Sequence, residues 1–418
     1  MHSLKALVAL ACTFLISTSA RADIECKSGK PGPCYEQISS TVRKDFAGSQ
    51  AGKGLPLTPQ AIADDLSVPA PAWGGASPYE IYFPSAPKGR LVVFAPGSPD
   101  VAAEYQEFGK YAASLGFHVL VLRYWNTQET TANDCVPQAP PPNAPPGFAY
   151  STETADACIT KLLDGQFRSS STLKALGAFT VPKATPENPH PVPLLPTEGD
   201  PFQNRLRRAL TYLERHFPQQ HWKQFSANSD GNFDQSPFVS WSKITLAGHS
   251  SGSKLLAYVA QQVEVHSLIM LSGPNIGYPT GKADEKVCPT AISHPSQTSV
   301  PTSKSHMYAY YNLDDDKSAL ATACHQAMGL GDPMQLGLAE PLKDSLEHYK
   351  QQYKRLPQVI VNEVAAVNGC KTKGKESSDA ERSHLSTACN CALREDDAHE
   401  LLPSKELTLQ IWKHLLER

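Results

Sequence analysis

Residues 243–263 read KITLAGHSSGSKLLAYVAQQV, and the fold turns on them. A run of β-branched and leucine residues ends at Gly248-His249-Ser250-Ser251-Gly252. Beyond it Leu255, Leu256, Val259 and Val263 recur at the spacing of one helix face. The pattern is strand, sharp turn, helix. Gly-x-Ser-x-Gly in that setting predicts a nucleophile elbow, with glycines permitting the bend and Ser250 held at its tip with the hydroxyl exposed. A five-residue match alone is weak, because it recurs by chance. The flanking strand and helix give it weight, and no second match occurs in the chain.

The neighbouring segments supply a sheet for such an elbow. Tyr79 to Phe83 alternates like a half-exposed strand, and Leu91 to Ala95 is apolar throughout, as a strand covered on both faces must be. After Pro96-Gly97-Ser98-Pro99 come a helix with Tyr105, Phe108, Ala112 and Leu115 on one side and a strand from Phe117 to Leu122. That βαβ unit predicts parallel pairing and places the Pro-Gly-Ser turn at the same sheet edge as Ser250. Later strands are expected at Ser267–Leu271, Met307–Tyr311 and Gln358–Val364, with helices at 202–217, 318–328 and 341–355 and a closing helix carrying Leu407, Ile411 and Leu415. The fold class expected is α/β with a mostly parallel central sheet flanked by helices.

The ends of the chain and its prolines set the organisation. Lys5, an apolar run from Ala6 to Ile16 and the small-residue site Ala20-Arg21-Ala22 predict a cleavable signal peptide over residues 1–22, and hence a secreted or periplasmic protein. No later stretch is long and apolar enough to cross a bilayer. Residues 23–75 form an N-terminal lead-in, and residues 76–418 form one α/β domain. Within that domain the proline-rich segment 126–201 is an insertion near the active edge, a possible cap over a pocket. A formal charge of -3 without basic clusters argues against nucleic acid as a partner. Ten cysteines, less Cys12 in the leader, leave an odd number. Local staples are expected as Cys26 with Cys34, Cys135 with Cys158, Cys288 with Cys324, and Cys370 with Cys389 or Cys391. Cys389-Asn390-Cys391 has the wrong spacing for a zinc knuckle.

A serine hydroxyl needs a base to lose its proton, and the base needs an acid to set its tautomer and steady its charge. The order along the chain expected here is serine, acid, histidine. The turn Asp314-Asp315-Asp316 follows the strand at Met307 and supplies the acid. Three adjacent carboxylates cannot all be buried and charged, so Asp315 is the first choice and Asp316 the alternative. Only His384, His399 and His414 follow the final strand, and His414 lies on the closing helix. Spacing alone leans to His399, just before that helix. The N–H groups of Ser251 and Ser98 are the expected oxyanion donors. No metal and no organic cofactor is implied.

Taken together, these segments resemble the α/β-hydrolase superfamily, and more narrowly a group of secreted bacterial α/β-hydrolase-like proteins of unassigned substrate. The resemblance runs from Tyr79 to Leu416. It is carried by Phe94 to Ser98, Gly116 to Val119 through Tyr124-Trp125-Asn126, Asn204-Arg205-Leu206 with Tyr212-Leu213, Ala247 to Ser250, Met270 to Pro274, the aspartate turn, and His384-Leu385-Ser386 with Trp412. It implies an α/β-hydrolase fold, moves the base from His399 to His384, and suits Asp315 as the acid. Two departures are Ser253-Lys254, where the group carries glycine-rich sequence, and the charged, cysteine-bearing loop around His384. The expected activity is that of an exported serine hydrolase cleaving a carboxylic ester, small-molecule or polymeric, through an acyl-enzyme. Peptidase, lipase or acyltransferase chemistry on the same residues is the first alternative, and a non-catalytic binding protein of the same fold is the second.

Overall fold

A computed structural model describes residues 55–57, 79–97, 102–123, 202–226, 239–274, 278–279, 286–288, 301–315, 317–336, 341–362, 384, 387–389 and 405–418. The expected leader, the expected insertion over 126–201 and most of the expected lead-in lie outside the described residues. In chain order the elements are β1 (Leu55–Leu57), β2 (Tyr79–Tyr82), β3 (Leu91–Ala95), α1 (Gln106–Ser114), β4 (His118–Val121), α2 (Phe202–His216), β5 (Ile244–His249) and α3 (Ser251–Gln262). They continue with β6 (Ser267–Leu271), the short antiparallel pair β7 (Tyr278–Pro279) and β8 (Lys286–Val287), β9 (Met307–Asn312), α4 (Ser318–Ala327), β10 (Met334–Leu336), α5 (Leu342–Tyr353), β11 (Val359–Asn362) and α6 (Lys405–Leu416).

Among the described residues the central sheet has nine strands in the order β1-β2-β4-β3-β5-β6-β9-β11-β10. β1 and β2 are antiparallel at one edge, and every pairing from β4 to β10 is parallel. This strand order, with helices on both faces and the serine elbow leaving β5, is the α/β-hydrolase fold. Two strands of this sheet, and the separate β7–β8 pair, were not expected from sequence. β1 falls inside the weakly patterned lead-in, and β10 is a three-residue piece whose Gln335 faces solvent between buried Met334 and Leu336. Segments that short carry too few residues for a period to register.

Continuous apolar strands arise because side chains alternate between two buried faces. Leu91, Val93, Leu246, Leu268, Met270, Ala309 and Val361 pack against α2 and α3. Val92, Phe94, Ala247, Ile269, Leu271, Tyr310 and Ile360 pack against α1, α5 and α6. The chain leaves β3 for β4 on one side and returns to β5 on the other. The strand order therefore reverses between β3 and β5. Ligands on open α/β sheets bind outside the carboxyl ends of strands at such a reversal, and the last residue of β5 is His249, next to Ser250.

Candidate active site

Ser250 has φ 52 and ψ -115, a region side chains seldom enter, while neither Gly248 nor Gly252 has positive φ. The strain is on the serine, and the glycines serve close approach. A Cβ on Gly248 would stand 2.6 Å from the Gly252 carbonyl carbon, and one on Gly252 would overlap the Ala95 carbonyl at the end of β3. Without side chains there, α3 leaves β5 at a tight angle beside β3. The Ser250 N–H donates to the Leu271 carbonyl at 2.9 Å, and Ser253 donates from Oγ to the Gly248 carbonyl at 2.6 Å. Ser251 opens α3, so its N–H faces away from any intrahelical acceptor.

Of the aspartates after β9, Asp314 is exposed and Asp315 is buried, whereas Asp316 lies outside the described residues. Asp315 Oδ1 accepts the Lys317 N–H at 2.8 Å, which folds the turn back on itself. Its Oδ2 accepts from His384 Nδ1 at 2.8 Å. Burial pushes this carboxyl up, but the hydrogen bond and charge of His384, the Lys317 N–H and the Ser272 hydroxyl outweigh burial and hold it below its ordinary range.

His384 is docked through its backbone. Its carbonyl accepts from His249 Nε2 at 3.0 Å, Ser272 Oγ at 3.0 Å and Thr387 Oγ1 at 3.2 Å. The rings of His384 and His249 are 4.9 Å apart between centroids, so the imidazole stands over the residue directly before Ser250. Trp412 on α6 donates its indole N–H to the Thr387 carbonyl at 2.9 Å and packs edge-on to Phe108 of α1, tying this segment to the core. His399 and Ser98 lie outside the described residues. Gly97, just before Ser98, gives its N–H to the Tyr105 hydroxyl at 2.9 Å and so has none to offer a ligand.

Four residues that sequence reasoning passed over belong to this assembly: Tyr105, His249, Ser272 and Thr387. Ser272, just past the end of β6, sits with φ 47, its hydroxyl 2.9 Å from that of Thr387. Its position one strand over from Ser250 was the available signal. Among the described residues no group of three or more His, Cys, Asp or Glu side chains is arranged to hold a metal ion, and no helix is long and apolar enough to cross a membrane. Cys288 and Cys324 are bonded, joining the β8 region to α4; the other expected pairings involve cysteines outside the described residues, apart from buried Cys389.

No protein-family model matches the chain, and no curated protein matches it. Among solved structures it is similar to TT1662 from Thermus thermophilus, at 12% identity over 88% of this chain and 98% of that one, with a TM-score of 0.31. It is also similar to the apo form of Thermogutta terrifontis esterase 2, at 11% identity over 67% and 80% with a TM-score of 0.32. A third is an alpha-beta serine hydrolase homologue from Coxiella burnetii, at 12% identity over 69% and 82% with a TM-score of 0.27. Scores this low leave the chemistry to be read from the residues themselves.

Proposed function

We propose that this chain is an exported serine hydrolase that cleaves a carboxylic ester through an acyl-enzyme. The observation that carries the reading is the 2.8 Å bond from His384 Nδ1 to buried Asp315, placed beside the strained elbow of Ser250. With Nδ1 bound to the carboxylate, Nε2 is left for the serine hydroxyl. Ser250 Oγ attacks the acyl carbon while its proton passes to His384 Nε2. The carbon–oxygen bond to the alcohol then breaks and the leaving alkoxide takes that proton. Water, deprotonated by the same nitrogen, attacks the acyl carbon and frees Ser250 and the acid. The N–H groups of Ser251 and Ser98 would hold the oxyanion in both steps. Asp315, kept ionised by its donors, steadies the imidazolium between them. The leader-like first 22 residues and the Cys288–Cys324 bond both suit an oxidising, exported setting.

A fluorophosphonate probe tests the reading, since it forms an O–P bond only with an activated serine and expels fluoride. The native protein should label, Ser251→Ala should still label, and Ser250→Ala should not. Labelling that survives Ser250→Ala would overturn the assignment in favour of another nucleophile, and a native protein inert to the probe would overturn it in favour of a binding protein of the same fold.

A further inference from the structure

The groups around His384 include a chain of hydrogen bonds that none of the expected roles uses. His249 is fully buried, and both its ring nitrogens are engaged. Nε2 lies 3.0 Å from the His384 carbonyl. A carbonyl has no proton to give, so Nε2 must carry the hydrogen in that contact. In the neutral ring Nδ1 is then an acceptor, and the Tyr105 hydroxyl 2.9 Å away donates to it. The Tyr105 oxygen in turn accepts the Gly97 N–H at 2.9 Å. The directions agree along the whole path, from the turn after β3, through Tyr105 and His249, to the segment carrying His384.

We propose that His249 is a positioning residue: set in its Nε2–H form by Tyr105, it clamps the His384 carbonyl and ties the base to the turn that carries the second oxyanion donor. This rests on the serine-hydrolase reading. Ser272 and Thr387 also hold the His384 carbonyl, and among the described residues it is His249 that continues, through Tyr105, to the turn before Ser98. It is also the residue joined to Ser250 by a peptide bond. Nucleophile, base and oxyanion turn are therefore referred to a common ring, and a displacement of about 1 Å among such groups costs on the order of a hundredfold in rate.

The experiment is two-step inactivation by a fluorophosphonate, which separates the limiting rate from the probe concentration giving half that rate. In His249→Phe, which keeps a ring but no donor, the limiting rate should fall about 30- to 100-fold with half-saturation unchanged within about twofold. In His249→Gln, whose amide nitrogen can occupy the place of Nε2, the rate should recover to within about fivefold of native. Tyr105→Phe keeps the packing against Phe94 and His249 and removes only the hydroxyl, so the limiting rate should fall about tenfold. If His249→Phe does not fold, Tyr105→Phe decides alone. A native limiting rate in either phenylalanine variant, or a glutamine variant no better than phenylalanine, overturns the clamp while native labelling and a silent Ser250→Ala leave the hydrolase reading standing. A native protein that never labels overturns both.

Discussion

The two ends of the sheet put similar residues to different uses, and the buried His118 and the half-buried His384 show it best. At the amino ends of the strands, His118 begins β4, donates from Nε2 to the Gln220 carbonyl at 2.8 Å, and is packed edge-on by Trp222 and Phe225. Burial pushes it down to about 4, against the pull of that carbonyl. It is a neutral ring filling an aromatic nest. At the carboxyl ends, His384 faces a carboxylate that is itself fixed by backbone, and its neighbours come from β5, β6 and α6. The open cleft lined by Lys88, Arg90, Phe117 and Glu417 is at the first end, away from Ser250. A histidine among rings fills space, whereas one hydrogen-bonded to a buried carboxylate and packed on the residue before Ser250 is, on the proposed reading, set up to move protons.

Substitutions matched across the two ends sharpen the contrast. His384→Ala should lower turnover of any ester the protein accepts by at least about a thousandfold. His118→Phe should leave turnover within about twofold and change only the denaturation midpoint. Equal losses of turnover would break the distinction between the two histidines.

Glycines give the next effect. A methyl group at Gly252 would overlap the Ala95 carbonyl, and one at Gly116, where φ is +97, would stand 2.7 Å from the Ala86 carbonyl. Both alanine variants should lose about 2–4 kcal/mol in urea unfolding. Only Gly252→Ala should also lose probe labelling in the fraction that remains folded, because only it displaces the elbow. A Gly252→Ala protein that folds and labels like native would show that the bend has slack.

The lysines give the smallest effect, and it depends on pH. Lys254 on α3 is buried, and burial first, then the charge of Lys317, pushes its amine down to about 7. Between about 7 and its ordinary value near 10.5, the unfolded chain binds a proton that the folded chain does not, so stability from this group rises with pH across that window. Below 7 the cost of burying the charge is present in full. Lys254→Met should therefore stabilise the protein by on the order of 2 kcal/mol at pH 7, and the gain should shrink as pH approaches 10. Lys88→Met, which removes an exposed pair with Glu417 at the other end, should change little at any pH. A stabilisation by Lys254→Met that stays constant from pH 7 to 10 would mean that folding does not lower the affinity of this amine for its proton.

Much of the fold was legible because its cues are local. Leu91 to Ala95 and Ser267 to Leu271 are apolar runs bounded by turn residues, and the structure has strands over those same residues. The elbow was legible for the same reason, since strand, bend and helix are contiguous. β1 and β10 were not, because three residues hold no period and their pairing partners lie elsewhere in the chain. At the site, sequence supplied chemically suitable residues but more aspartates and histidines than one catalytic arrangement can use. Asp314 and Asp315 are adjacent and chemically alike, and burial together with the bonds from His384 and the Lys317 N–H separates them. Tyr105 and His249 carried no cue, since a tyrosine on a helix and a histidine ending a strand are ordinary core residues.

By itself, then, the order of amino acids determined a parallel sheet, a strained serine between β5 and α3, and a short set of acids and bases downstream. Those follow from backbone sterics and burial period, which act over a few residues. What only the folded chain decided was which groups meet. His384 reaches Asp315 across 69 positions, His249 reaches His384 across 135, and Tyr105 reaches His249 across 144. Contacts that long are set by the order in which strands lie side by side and by the packing of α1 and α6 on one face, and neither is written in any local stretch of residues.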